Sequence, residues 1–181
     1  MNANLGLAAA MLLFGNSLLF SQSEEKKNVS ADVTCTDLDF LLGSWDVTRE
    51  GSPAIIATGT FQSGASNHCY VTLSEKSPRI GDVLCFFAYS NASHDWQQLC
   101  GSTTGGRPFY YNGVRHGDEI SFLVEDLKDP TVRHRFSFIL QPDGTVREIQ
   151  LNSKDNGKSW PETGVGLVWK KRPAARNENQ Q

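Results

Sequence analysis

The chain has 181 residues and a formal net charge of −3, from 17 Lys and Arg against 20 Asp and Glu; this excludes a strongly basic nucleic-acid binder and an acidic solvating tail. Hydrophobic residues make up 39% and charged residues 20%, which suffices for a core and excludes disorder of the whole chain. The 16 Gly and 7 Pro follow no period, so collagen-like repeats are excluded and the length suits one domain.

Leu5 to Phe20 is almost entirely apolar and leads into Ser21-Gln22-Ser23 and the charged run Glu24-Glu25-Lys26-Lys27. Small residues at Ser21 and Ser23 suit a signal peptidase site, so residues 1–23 read as a signal peptide cleaved after Ser23. No Lys or Arg precedes the apolar run. An uncleaved anchor is the alternative, but the run is short of the roughly 20 clean apolar residues a span needs. No later segment approaches a transmembrane helix, and no Cys directly follows the run to carry a lipid. The mature chain is expected to be exported, periplasmic or secreted, with no membrane span. Residues 24–34 are polar and read as a flexible leader. Asn28-Val29-Ser30 and Asn91-Ala92-Ser93 match the glycosylation acceptor pattern.

Asp37 to Gly43 reads as a short helical turn ended by Gly43. Phe40, Gly43 and Trp45 are expected to form a plug over one barrel end. A long β pattern follows, with strands predicted at 45–50, 54–63, 67–75, 82–89, 95–101, 107–113, 118–126, 132–140, 145–152 and 164–171. Turn chemistry such as Ser77-Pro78, Gly105-Gly106, Pro142-Asp143-Gly144 and Asp155-Asn156-Gly157 separates them. The expected fold is all-β: one antiparallel barrel of about ten strands over residues 35–172, with the helical plug at its start and a polar, disordered tail at 173–181.

Period-2 alternation sorts the faces. The inner wall is expected to carry Trp45/Val47, Ala57/Phe61, Val71/Leu73, Cys85/Phe87/Tyr89, Trp96/Gln98/Cys100, Phe122/Val124, His134/Phe136/Phe138 and Leu167/Trp169. Ser121, Arg133, Arg135, Ser137 and Lys170 fall on a water-facing side. Ile56, Leu84 and Phe86 break the alternation and are expected to pack under the helical turn or the N-terminal segment.

The four cysteines, Cys35, Cys69, Cys85 and Cys100, favour disulfides in an exported chain. A hairpin centred between Ala92 and Ser93 puts Cys85 opposite Cys100. A second hairpin around Ser77-Pro78 puts Cys69 opposite Cys85. Cys69 and Cys100 then stand an intervening strand apart, about 9–10 Å, beyond disulfide reach. Two pairings remain: Cys85–Cys100 with Cys35–Cys69, slightly preferred for its better-defined turn, or Cys69–Cys85 with Cys35–Cys100.

Leu38-Asp39-Phe40-Leu41-Leu42-Gly43-Ser44-Trp45 resembles the opening "FLLGxW" signature of the lipocalin-like, calycin-type bacterial proteins of the DUF1579 group. The group's aromatic strand, turn and Trp-x-Gln strand correspond to Phe87-Ala88-Tyr89 and Trp96-Gln97-Gln98. Its closing Ser-x-Asp-x-Gly-Lys-x-Trp hairpin corresponds to Ser153–Trp160. The resemblance covers roughly Asp37 to Arg172 and implies a closed, calycin-like barrel with a pocket, but no known reaction. Where the group often has a second Trp two residues after the Gln, this chain has Cys100.

Ser153–Trp160 also matches the Asp-box turn, which here reads as structural: the Asp ties the hairpin's own amides and the Trp packs beneath. Trp45, Tyr89, Trp96, Gln98, His134 and Trp169 are the candidate ligand-binding residues. They put sparse polar groups on an apolar inner wall, as a small-molecule site requires. No metal or cofactor is expected: the histidines lack zinc spacing, no C-x-x-C occurs, and phosphate, dinucleotide and nucleophile-elbow motifs are missing. The expected function is burial of a small apolar or amphipathic molecule, with Gln98, Tyr89 and His134 orienting its polar end. The rivals are a lyase or isomerase using His134 as acid/base with Tyr89 as partner, and a filled barrel that binds a protein through its rim.

Overall fold

The computed structural model describes residues 34–64, 68–79, 81–125, 129, 131–161 and 166–173. The expected signal peptide, nearly all of the leader and the tail beyond Pro173 lie outside them. Ten antiparallel strands close into one barrel in chain order, with β10 returning to β1. They are β1 (Gly43–Arg49), β2 (Ile55–Ser63), β3 (Tyr70–Ser77), β4 (Gly81–Ser90) and β5 (Asp95–Ser102), then β6 (Gly105–His116), β7 (Glu119–Glu125), β8 (Arg133–Leu140), β9 (Val146–Ser153) and β10 (Leu167–Lys171). A short 3-10 turn, Asp39–Leu41, precedes β1.

Alternation builds the interior. On β1, β2 and β4 every second residue is buried, and Trp45, Val47, Phe61, Val71, Phe87, Trp96, Phe122, Phe138 and Trp169 form one core. Each fully buried large side chain contributes roughly 1.5–3 kcal/mol. Aromatic edges interlock it: Phe61 meets Phe138 at 5.7 Å and Trp169 at 5.5 Å between ring centroids. Before β1, Leu38 and Leu41 are buried in the same core. The Trp45 indole N–H donates to the Leu41 carbonyl at 2.7 Å, and Arg115 Nη1 donates to the Asp37 carbonyl at 2.9 Å. Gly43 takes φ +122°, a left-handed value that frees the chain to turn into β1, and a Cβ there would lie 2.9 Å from Lys171 Cε.

Cys85 pairs directly with Cys100 across β4 and β5, and the disulfides are Cys85–Cys100 and Cys35–Cys69. The β4–β5 hairpin turns at Asn91–His94, centred as expected, with Ser90 opposite Asp95. The β3–β4 register corrects another expectation. Leu73, not Cys69, faces Cys85, because the turn falls at Pro78-Arg79 and both strands run longer past it. Cys69 instead accepts a backbone hydrogen bond from Tyr89.

Two face assignments are also corrected. Leu84 and Phe86 are 46% and 38% exposed on the barrel's outside, where Phe86 meets only the Tyr70 ring among described aromatic pairs. Ser137, assigned to the water side, is fully buried and donates to Glu119 Oε1 at 2.7 Å. Nearby, the Ser153–Trp160 hairpin covers part of the outer wall, with the Arg135 guanidinium 5.0 Å from the Trp160 ring centroid.

Candidate functional site

The barrel is filled unevenly. The odd-numbered strands start, and the even-numbered strands finish, at the Gly43 end. There Trp45, Phe61, Phe87 and Trp96 are buried together, leaving little room. Toward the other end lies a cavity of about 390 Å³, within the roughly 300–1,000 Å³ of small-molecule sites. Leu73, Phe136, Phe138, Trp169 and the Cys85–Cys100 disulfide form its apolar wall. Glu75, Gln98, Tyr110, Glu148 and Gln150 supply its polar groups.

Strand parity delivers each polar side chain. Glu75 follows the buried Val71 and Leu73 on β3; Gln98 stands between the buried Trp96 and Cys100 on β5; Glu148 follows the buried Val146 on β9. Glu75 and Glu148 are both 8% exposed. The Trp169 indole N–H donates to Glu148 Oε2 at 2.7 Å, which fixes the carboxyl against the wall. The indole itself lies over Gly59, where a Cβ would come within 2.5 Å of its Cζ3.

Gln98 is 4% exposed. Its Nε2 donates to Cys100 Sγ at 3.3 Å, the orientation chemistry favours, since a disulfide sulfur only accepts. Its Oε1 has no hydrogen-bond partner in the protein. Leaving a buried carbonyl unmatched costs about 1–3 kcal/mol, so the amide is poised to accept from a donor placed in the cavity.

Of the six residues singled out from the sequence, Gln98 and Trp169 line this cavity. Trp45 is tied to Leu41 at the Gly43 end, its ring 5.3 Å from Lys171 Nζ. Tyr89 and Trp96 pack edge to face, 5.8 Å between centroids, at the same end. His134 lies next to the start of β8, toward the opposite end, with Nδ1 2.6 Å from Asn152 Oδ1 on β9. Strand direction thus separates Tyr89 from His134 and does not assemble the acid/base pair. Sequence reading missed Glu75, Tyr110, Glu148 and Gln150. Parity with Leu73 would have found Glu75, but a charged residue in a strand ordinarily reads as solvent-facing.

A second hollow, of about 740 Å³, opens beside β1 and β2 and is lined by Arg49, Ile55, Ile56, Arg79 and Leu167 among others; it shares Glu75 with the first. Among the described residues, no group of three or more His, Cys, Asp or Glu is placed to hold a metal ion, and no helix is long and apolar enough to cross a membrane. The shifted acids lie elsewhere: hydrogen bonds from Ser153, Ser159 and backbone amides hold the Asp155 carboxyl well below the usual carboxylate range, and Thr145 lowers Asp143.

A scan against protein-family models finds no match to this chain, and a search of curated proteins finds none either.

Proposed function

We propose that this chain is an exported, lipocalin-like binding protein of the calycin type that holds one small amphipathic molecule inside its barrel. The reading rests on one observation: an unmatched buried amide oxygen, Gln98 Oε1, in a cavity otherwise walled by Phe136, Phe138, Trp169 and a disulfide. Apolar surface enclosed there contributes roughly 25 cal/mol per Å², and Gln98 orients the ligand's polar end. Trp169 takes part through its ring, while Trp45, Tyr89 and Trp96 support the filled end. His134 is assigned no contact with the ligand. The turn at Asp39–Leu41 acts as the lid of the filled end, in keeping with the burial of Leu41. Two disulfides accord with an oxidising compartment.

Native mass spectrometry of protein purified from its own host is expected to show a small adduct. Gln98→Leu, which keeps the volume and removes the acceptor, is expected to lose that adduct or weaken its retention about tenfold. An adduct held equally by wild type and Gln98→Leu, or none under gentle conditions, overturns the reading.

A further inference from the structure

We infer that the molecule held in the inner cavity carries a cationic donor head, a protonated amine, on a compact apolar or aromatic body. The inference rests on the binding role of that cavity and narrows it to a chemical class. The polar groups that the cavity offers are of one kind. Glu75 and Glu148 bring acidic side chains, each 8% exposed, onto the inner wall. Gln98 adds a carbonyl oxygen that has no partner in the protein although the residue is 4% exposed. Its amide nitrogen is already committed to Cys100 Sγ. No Lys, Arg or His occurs among the described lining residues of this cavity. An anionic head would bring a further negative charge beside two acids in a water-poor space, where like charges repel strongly. An ammonium group has three donors and no acceptor, which complements this set. Charge-assisted hydrogen bonds are roughly twice as strong as neutral ones.

The rest of the wall fits the body of such a ligand. Phe136 and Phe138 stand edge to face at 4.8 Å, and Trp169 adds an indole. Aromatic faces also attract cations. The arginines of this end, Arg49 and Arg79, line the outer hollow and not the inner cavity. An acidic ligand drawn to that end would therefore settle outside Gln98.

Three probes that share one ring and differ in the head test the inference: 2-phenylethylammonium, 2-phenylethanol and 3-phenylpropionate, titrated calorimetrically into the disulfide-bonded protein at neutral pH. The ammonium probe is expected to bind about tenfold or more tighter than the alcohol, and the carboxylate not to enter. Glu148→Gln keeps an acceptor for the Trp169 indole and removes the charge. It is expected to lower ammonium affinity about tenfold and leave the alcohol unchanged. Gln98→Leu is expected to weaken both. Circular dichroism establishes that each variant is folded. If alcohol or carboxylate binds as well as the ammonium and depends on Gln98, the cationic class is wrong and the binding role stands. The cationic class is equally wrong, with the binding role intact, if Glu148→Gln leaves ammonium affinity unchanged. If no probe binds the folded protein, the cavity is not a site for molecules of this size, and both claims fall.

Discussion

Gly59 sits where the wall of the cavity is thinnest. The Trp169 indole covers it so closely that a methyl group would come within 2.5 Å of Cζ3 and 3.2 Å of Leu73 Cδ1. Trp169 cannot simply retreat, because its N–H is bonded to Glu148 and its ring is packed against Phe61 and Phe138. Gly59→Ala is therefore expected to destabilise the fold by about 1–3 kcal/mol through overpacking. The same change pushes the indole into the cavity. Urea unfolding reads the first effect and Trp fluorescence at constant fold reads the second. An alanine variant as stable as wild type with an unaltered emission spectrum would show that the indole is not pinned. The contrast with Gly51, where a Cβ would meet nothing within 4 Å, shows that glycine means different things in one sequence. At one position it serves a turn, and at the other it clears room for an aromatic ring.

At the level of the element, the Ser153–Trp160 hairpin is held by one carboxyl group. Asp155 Oδ1 accepts from the Lys158 and Ser159 amides at 3.1 and 2.9 Å and from Ser153 Oγ at 2.6 Å; Oδ2 accepts from Ser159 Oγ at 2.6 Å. Side-chain hydrogen bonds from Ser153 and Ser159 come first in pulling its pKa below the ordinary 3.8. A depressed folded-state pKa means that the carboxyl's contribution is fully present above 3.8 and fades as pH falls through the lower folded value. Asp155→Ala is expected to be less stable than wild type at pH 6, and the gap to close as the pH is taken down towards 2. Amide exchange at Lys158 and Ser159 follows the same course. A gap that widens in acid would contradict this assignment. This hairpin was legible in the sequence because its hydrogen bonds are local, within four residues. The strands were legible for a similar reason: alternation is a local pattern, and all ten strand positions follow from it to within a few residues. The polar half of the cavity was not. Glu148 and Glu75 are charged, and a single strand gives no hint that a charge faces inward; only closure of the sheet, which brings β3 and β9 to one interior, gives them a shared purpose. Likewise the water-facing reading of Ser137 failed because a side-chain partner on β7, Glu119, covers it.

For the molecule as a whole, the two disulfides act at different ranges. Cys85–Cys100 joins neighbouring residues of a hairpin that is already paired, 15 positions apart, whereas Cys35–Cys69 ties the segment before β1 to the start of β3 across 34 positions. Loop-closure entropy gives about 3 kcal/mol for the first and about 4 kcal/mol for the second. Replacing Cys35 and Cys69 by Ser is expected to lower stability more than replacing Cys85 and Cys100, as read from urea midpoints at equal slope. The reverse order would place the stabilisation in hairpin geometry and not in chain entropy. The β10–β9 seam carries three paired positions, from Leu167↔Glu148 to Trp169↔Val146, against eight for β3–β4, so the wall that bears Trp169 and Glu148 is also its least stitched part.

Because every strand has a neighbour on both sides, the sheet offers no free edge. A peptide cannot extend it by strand addition, and a second copy cannot template on it, unless a seam first parts. Recognition of any macromolecule is thereby confined to loops, the outer wall and the barrel mouth, and the interior is reserved for what is small enough to enter.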